Sequence, residues 1–78
     1  MNPTNMLELQ KFVLERVYEN RFLFAKELKK SFQWLDDQDL VKLYSWSIGK
    51  FSERYKSIID CVYSDFEFQN FQVALVAM

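Results

Sequence analysis

Large apolar residues recur at spacings of three and four through most of the chain, which is the period of an amphipathic α-helix. Helix-starting signals separate these runs: Asn5 is followed three positions later by Glu8, and Asp36 is followed by Asp39. Only one residue of 78 is glycine, which argues against flexible linkers and for an ordered globule. The sequence therefore predicts an all-α protein whose helices are joined by short caps.

The first two helices are expected over residues 5–19 and 22–34. An apolar stripe covers about half of the circumference of the first helix, which suits contact with two neighbouring helices. The members of this stripe are Met6, Leu7, Leu9, Val13, Leu14, Val17 and Tyr18. The second helix has a narrower apolar face, which is formed by Phe24, Leu28, Phe32 and Leu35.

A third helix is predicted from Asp36. Its apolar period continues through Gly49, so that an end near Phe51 and a longer helix are both open. Ser57, with Asp60 three positions later, repeats the cap signature and predicts a short fourth helix.

The chain has the length of a single domain, residues 1–78, and such a small core lies near the lower limit of what packing alone stabilises. We expect this domain to be a three-to-four-helix bundle. The mostly apolar C-terminal segment, residues 66–78, alternates like a strand around Gln69 and Asn70 but also suits a helix. A short helix and a hairpin both remain open for this segment.

Composition argues against several classes of function. One cysteine and no histidine allow no disulfide and no ordinary set of zinc ligands, so neither a metal nor a cofactor is predicted. General acid–base catalysis has no histidine to use and phosphate-loop and nucleophile motifs are missing, so we expect no enzyme and no small-molecule substrate. The uncharged runs are too short for a membrane span and the start lacks a secretory leader, which predicts a cytoplasmic protein.

Two features that suggest chemistry also have simpler interpretations. The acidic residues Asp36, Asp37 and Asp39 fit a helix N-terminus, where the helix dipole favours negative charge. Cys61 lies in an apolar helical run, and we expect it to be a small buried hydrophobic residue rather than a nucleophile.

Several large apolar residues fall outside the predicted core stripes or in the uncharged C-terminal segment. These candidate interface residues are Phe12, Leu23, Trp34, Trp46 and Phe71. Capping loops or the C-terminal segment can cover some of these side chains within the domain, whereas those that stay exposed are typical of protein contacts. The sequence therefore predicts a non-enzymatic protein-interaction module. A second copy of the chain is the simplest partner, because self-association would bury these residues and stabilise a small core.

The alternative function is nucleic-acid binding. Lys26, Lys29 and Lys30 lie side by side on the second helix, with Arg21 before them and Gln33 after. Either phosphates or an acidic protein could contact this basic face. If the first two helices formed a helix-turn-helix, this face of the second helix would enter the DNA groove. The net charge of -1 gives no general attraction to phosphates, so this interpretation depends on the local basic face alone.

Overall fold

A computed structural model describes residues 5–66, which form three helices: α1 (Met6–Arg16), α2 (Arg21–Trp34) and α3 (Asp37–Val62). No strand occurs in this part of the chain. The all-α prediction is therefore confirmed for the described residues. Apart from Phe66, the segment expected as a short helix or hairpin lies outside them.

Side chains cap the helices at their first turns. The Oδ1 atom of Asn5 accepts a hydrogen bond from the N–H of Leu7 at 2.9 Å. The Oδ1 atom of Asp36 likewise accepts one from the N–H of Asp39 at 2.9 Å. Both caps satisfy amide groups that have no partner within the helix, and both confirm the predicted helix starts.

The first helix ends at Arg16, three residues before the predicted end. Val17 leaves the helical conformation (φ -101°, ψ 9°), and the N–H of Asn20 donates to the carbonyl of Val17 at 2.9 Å. This turn brings the Oδ1 atom of Asn20 to 3.1 Å from the amide nitrogens of both Phe22 and Leu23. Asn20 thereby caps α2, and α1 has to end early because the cap needs extended backbone.

Buried side chains from all three helices form one core. The ring centroid of Phe24 lies 5.1 Å from that of Phe51 and 4.6 Å from that of Tyr55, within the range of favourable aromatic pairs. The predicted face of α2 is buried, except that Phe32 is half-buried. The buried apolar residues are Leu7, Leu14, Phe24, Leu28, Leu35, Leu40, Leu43, Phe51, Tyr55, Ile59 and Tyr63.

Three buried polar residues, one from each helix, accompany this core. The Nε2 atom of Gln10 donates to the Oγ atom of Ser31 at 2.8 Å, and that hydroxyl donates to the carbonyl of Glu27 at 3.2 Å. The hydroxyl of Ser47 on α3 is also buried, but it has no hydrogen-bond partner among the described residues. Gln10 and Ser31 link α1 to α2, whereas Ser47 leaves an unsatisfied hydroxyl in the core.

The third helix continues through Gly49, so the longer of the two open alternatives is observed. It bends at Tyr55, whose φ of -122° and ψ of 18° are not helical. Beyond the bend the chain folds back: the Oη atom of Tyr44 donates to Oδ1 of Asp60, 16 residues away, at 2.8 Å. A straight helix would separate two such residues by about 24 Å, so the bond requires a sharp change of direction.

The segment predicted as a short fourth helix is the C-terminal arm of α3. Its backbone is helical to Val62, but the helix continues from the bend at Tyr55 instead of starting at a Ser57 cap. The arm also packs on α2, because the ring centroid of Phe32 lies 4.9 Å from that of Tyr63. The second helix therefore contacts both arms of α3.

Candidate protein-interaction surface

Five large apolar side chains are exposed among residues 5–66, and all of them belong to α1 or α2. Phe12, Leu23 and Trp34 have exposed fractions of 54%, 42% and 53%, which places three of the predicted interface residues at the surface. The other two exposed residues are Met6 and Phe22.

Leu23 and Trp34 lie on the same side of α2, at the two ends of a stripe that includes Glu27 and Lys30. Spacings of four, three and four residues keep these side chains on one face of the helix. The Nζ atom of Lys30 lies 3.5 Å from Oε2 of Glu27. We name these residues the α2 stripe; it presents an apolar side chain at each end and an ion pair between them.

The first helix adds an apolar row beside the α2 stripe. Met6, Leu9 and Val13 are spaced three and four residues apart and are exposed or half-buried, and they do not belong to the buried core. The two helices meet at Gln10, whose Nε2 lies 3.3 Å from the carbonyl oxygen of Glu27. The apolar row and the α2 stripe together form what we name the α1–α2 surface.

This surface faces away from α3. On α1, Oε2 of Glu15 lies 3.0 Å from Nζ of Lys50, and the ring centroid of Tyr18 lies 5.2 Å from that of Phe51. The apolar row lies about half a helical turn away from these two contacts. The buried stripe of α1 is therefore narrower than the sequence predicts, and its outer half remains open.

Phe12 is a neighbour of this surface on the outer side of α1. The guanidinium carbon of Arg16 lies 5.6 Å from the centroid of its ring, which is a cation–π distance. Phe12 remains 54% exposed beside that contact. Phe12 can therefore extend an apolar contact beyond the row formed by Met6, Leu9 and Val13.

Trp46 differs from the other predicted interface residues because it packs on the core. Its ring centroid lies 5.4 Å from that of Phe51, and Nζ atoms of Lys11 and Lys50 lie 5.6 and 6.0 Å from the Trp46 ring. The finding corrects the expectation that its side chain points away from the core. The expectation considered α3 as an isolated helix. In the structure α1 packs beside this part of α3 and covers Trp46.

Phe22 is the most exposed of the large apolar residues among residues 5–66, at 83%, and it is not one of the predicted interface residues. Helical spacing places Phe22 opposite the buried face that contains Phe24 and Leu28, and this spacing could have predicted its exposure. Phe71, the remaining predicted interface residue, lies outside the described residues.

Lys26, Lys29 and Lys30 lie side by side on α2, as their spacing predicts, but they differ in their ion-pair partners. Lys26 and Lys29 are exposed and make no ion pair within residues 5–66, and Gln33 is exposed on the same helix. Lys30 instead belongs to the α2 stripe. Arg21 lines a separate groove with Arg54, Tyr55, Ser57, Ile58 and Glu19. Only two of the predicted cations are therefore adjacent and without a carboxylate partner.

A polar cluster lies where the C-terminal arm of α3 meets its first part. Asp60 accepts hydrogen bonds from Nζ of Lys56 at 2.7 Å and from Oη of Tyr44 at 2.8 Å. The bond from Lys56, and then the bond from Tyr44, lowers the pKa of Asp60. The same bond to Asp60 raises the pKa of Tyr44. These contacts connect the two arms of α3, which is a structural role.

Neither Asp36 nor Cys61, the two residues whose chemistry the sequence raised, lies in a group of potential metal ligands among residues 5–66. Asp36 caps α3, which confirms the structural interpretation of that acidic residue. Cys61 is exposed, which corrects the expectation that it is buried, because the arm turns Ile59 and Tyr63 inward instead. Within residues 5–66, no group of three or more acidic, cysteine or histidine side chains could hold a metal ion.

None of the helices among residues 5–66 is long and apolar enough to cross a lipid bilayer. Comparison with known proteins finds no match: no family model, no curated protein and no solved structure is significantly similar to this chain.

Proposed function

We propose that this protein is a non-enzymatic helical interaction module that binds a second copy of itself through the α1–α2 surface. The proposal depends on one observation above all: Leu23 and Trp34 are exposed on one side of α2, next to an open apolar row of α1. Burial of apolar surface is worth about 25 cal/mol per Å², so a surface of this kind favours a partner that covers it.

A second copy suits this surface because both partners would gain from the contact. The core of a domain of 78 residues is small, and an interface adds apolar contacts that the monomer lacks. Two α1–α2 pairs related by a twofold axis would form a four-helix layer, a common way for helices to share a core. Trp34 would supply a large buried side chain at the interface, as tryptophan does at many protein contacts.

The experiment measures the mass of the protein in solution by size-exclusion chromatography with light scattering, over a range of concentrations. We expect a dimer that dissociates on dilution. Trp34→Glu should raise the dissociation constant by roughly a thousandfold, because the symmetric dimer would contain two copies of this residue and each would contribute about 2 kcal/mol. Circular dichroism should show unchanged helicity, because Trp34 is half-exposed at the end of α2.

Two matched aromatic variants make the result specific. Phe22→Glu changes the most exposed aromatic residue, which lies off the α2 stripe, and should leave dimerisation unchanged. Trp46→Glu changes a residue packed against Phe51 and should lower the free energy of unfolding instead. A wild-type monomer at every concentration, or equal dissociation constants for Trp34→Glu and the wild type, would contradict the proposal.

A second candidate function is nucleic-acid binding by the exposed side of α2. One observation favours it: Lys26 and Lys29 make no ion pair among residues 5–66, in contrast to Lys30. Unpaired adjacent ammonium groups can contact phosphates, and Gln33 on the same helix could contact a base edge. The groove beside the two lysines also contains Asp65, which would oppose a phosphate.

Fluorescence anisotropy with labelled duplex DNA and single-stranded RNA tests this candidate at low and moderate salt. Binding through the two lysines should weaken as salt rises, and a Lys26→Glu, Lys29→Glu double variant should lose it. The single variants Lys26→Glu and Lys42→Glu change the net charge equally, so weaker binding by the first variant alone would assign the contact to α2 and not to net charge. Absence of binding at low salt would exclude this function for the nucleic acids used.

A further inference from the structure

We infer that the self-association proposed above is antiparallel, about a twofold axis that crosses the middle of α2. The inference depends on the proposed function and adds the register of the interface. It follows from the α2 stripe: Leu23, Glu27, Lys30 and Trp34 have spacings of four, three and four residues, which read the same from either end. The residue types are complementary about the centre of the stripe.

An antiparallel pair of identical helices, with the axis between Glu27 and Lys30, brings opposite ends of the stripe together. Leu23 lies opposite Trp34 of the second copy, and Glu27 lies opposite Lys30 of the second copy. Twofold symmetry repeats each contact. Apolar side chains thus meet at both ends, and opposite charges meet in the centre. A parallel pair would place Glu27 against itself and Lys30 against itself, which charge repulsion disfavours.

The surroundings of the two charges fit this arrangement. The side chains of Glu27 and Lys30 are 21% and 44% exposed, and their 3.5 Å contact lies within one chain. Among residues 5–66, Lys30 has no ion-pair partner other than Glu27. In the dimer, each carboxylate would contact two ammonium groups, which forms a four-charge network. The row Met6, Leu9 and Val13 flanks this network and would exclude water from one side.

Two single charge reversals test whether the α2 stripe meets itself across the twofold axis, and a double exchange then tests the direction of the pair. Glu27→Lys puts two lysines in the stripe, and Lys30→Glu puts two glutamates there. Each variant alone should dimerise about tenfold more weakly than the wild type, because like charges meet across the axis. Mixed together, the two variants should form a heterodimer about tenfold in excess of random pairing, because every lysine then faces a glutamate. Native mass spectrometry of chains with different tags measures the heterodimer.

The mixing experiment separates the interface from the ion pair within α2. Each single variant has like charges three residues apart in its own helix, in the homodimer and in the heterodimer alike. That intrahelical repulsion therefore cannot favour mixed pairs. The double exchange Glu27→Lys with Lys30→Glu keeps an ion pair within the chain. It should dimerise like the wild type, yet form fewer mixed dimers with wild-type chains than random pairing gives.

The two proposals fail in different ways. A wild-type dimer with random mixing in both experiments overturns the antiparallel register and leaves the interaction module intact. A wild-type protein that stays monomeric overturns both. The antiparallel register predicts an excess of heterodimers between the single variants and a deficit of mixed dimers between the double exchange and the wild type. An excess of mixed dimers in both experiments would indicate a parallel pair and overturns the antiparallel register.

Discussion

The buried hydroxyl of Ser47 has no hydrogen-bond partner within residues 5–66. Ser47→Ala removes this unsatisfied group and introduces a better helix former, so we expect the free energy of unfolding to rise by about 1 kcal/mol. Urea unfolding followed by circular dichroism measures the change. Ser31→Ala is the matched control: the Ser31 hydroxyl accepts a bond from Gln10 at 2.8 Å, and its loss should lower the free energy by about 1 kcal/mol. A lower free energy of unfolding in both variants would contradict the view that the Ser47 hydroxyl is unsatisfied.

The buried hydroxyl of Tyr63 should make the free energy of unfolding fall at alkaline pH. Its Oη atom donates to the carbonyl of Leu40 at 2.8 Å, and burial raises the pKa of Tyr63 well above its usual 10.0. The unfolded chain therefore releases this proton at a lower pH than the folded chain does. The contribution to stability is fully present below pH 10.0 and is lost as the pH rises through the folded pKa.

Thermal unfolding across an alkaline pH series measures this effect. The midpoint temperature of the wild type should fall as the pH rises above the ordinary tyrosine pKa. Tyr63→Phe should be less stable at neutral pH, by about 1 kcal/mol for the lost hydrogen bond, but its midpoint should fall less steeply with pH. Tyr44, whose pKa is also raised, leaves some dependence in the variant. Parallel pH profiles for the two proteins would assign the alkaline loss to other groups.

The cap of α2 depends on one side chain. Asn20 Oδ1 accepts hydrogen bonds from the amides of Phe22 and Leu23, both at 3.1 Å. Asn20→Ala should lower the free energy of unfolding by about 1 kcal/mol, whereas Asn20→Asp keeps an acceptor and should have little effect. Thermal unfolding of the three proteins at neutral pH compares them. Equal losses in both variants would mean that the Asn20 side chain acts in some way other than as a cap.

Local sequence is enough to predict the helix starts and the α2 core face, because both depend on residues within one or two turns of each other. Asn5 and Asp36 cap their helices as expected. The cap signature at Ser57 predicts a new helix close to the bend of α3, but the position of the bend at Tyr55 and its direction could not be predicted in the same way. The bend is stabilised by contacts between distant residues, such as the hydrogen bond from Tyr55 Oη to the carbonyl of Tyr18 at 2.6 Å.

The candidate surface also has parts that depend on one helix alone, which could be predicted, and parts that depend on contacts between helices, which could not. The exposure of Leu23 and Trp34 follows from the narrow apolar face of α2, which helical spacing shows directly. The α1 row could not be recognised, because a wide apolar stripe does not indicate which of its sides the neighbouring helices cover. Trp46 was misplaced for a related reason: α1 packs beside it.

Residues 5–66 combine a small core with an open apolar surface, and the proposed dimer would make the stability of the protein depend on its own concentration. A contact made only by folded chains stabilises them by mass action, and a tenfold rise in concentration adds about 1.4 kcal/mol per dimer. The midpoint temperature of thermal unfolding should therefore rise by several degrees over about a hundredfold range of concentration. Leu23→Glu and Trp34→Glu should each remove this dependence, whereas Phe22→Glu should retain it. A midpoint that is constant for the wild type would show that folding is complete within one chain, and the open surface of α1 and α2 would then contribute nothing to its stability.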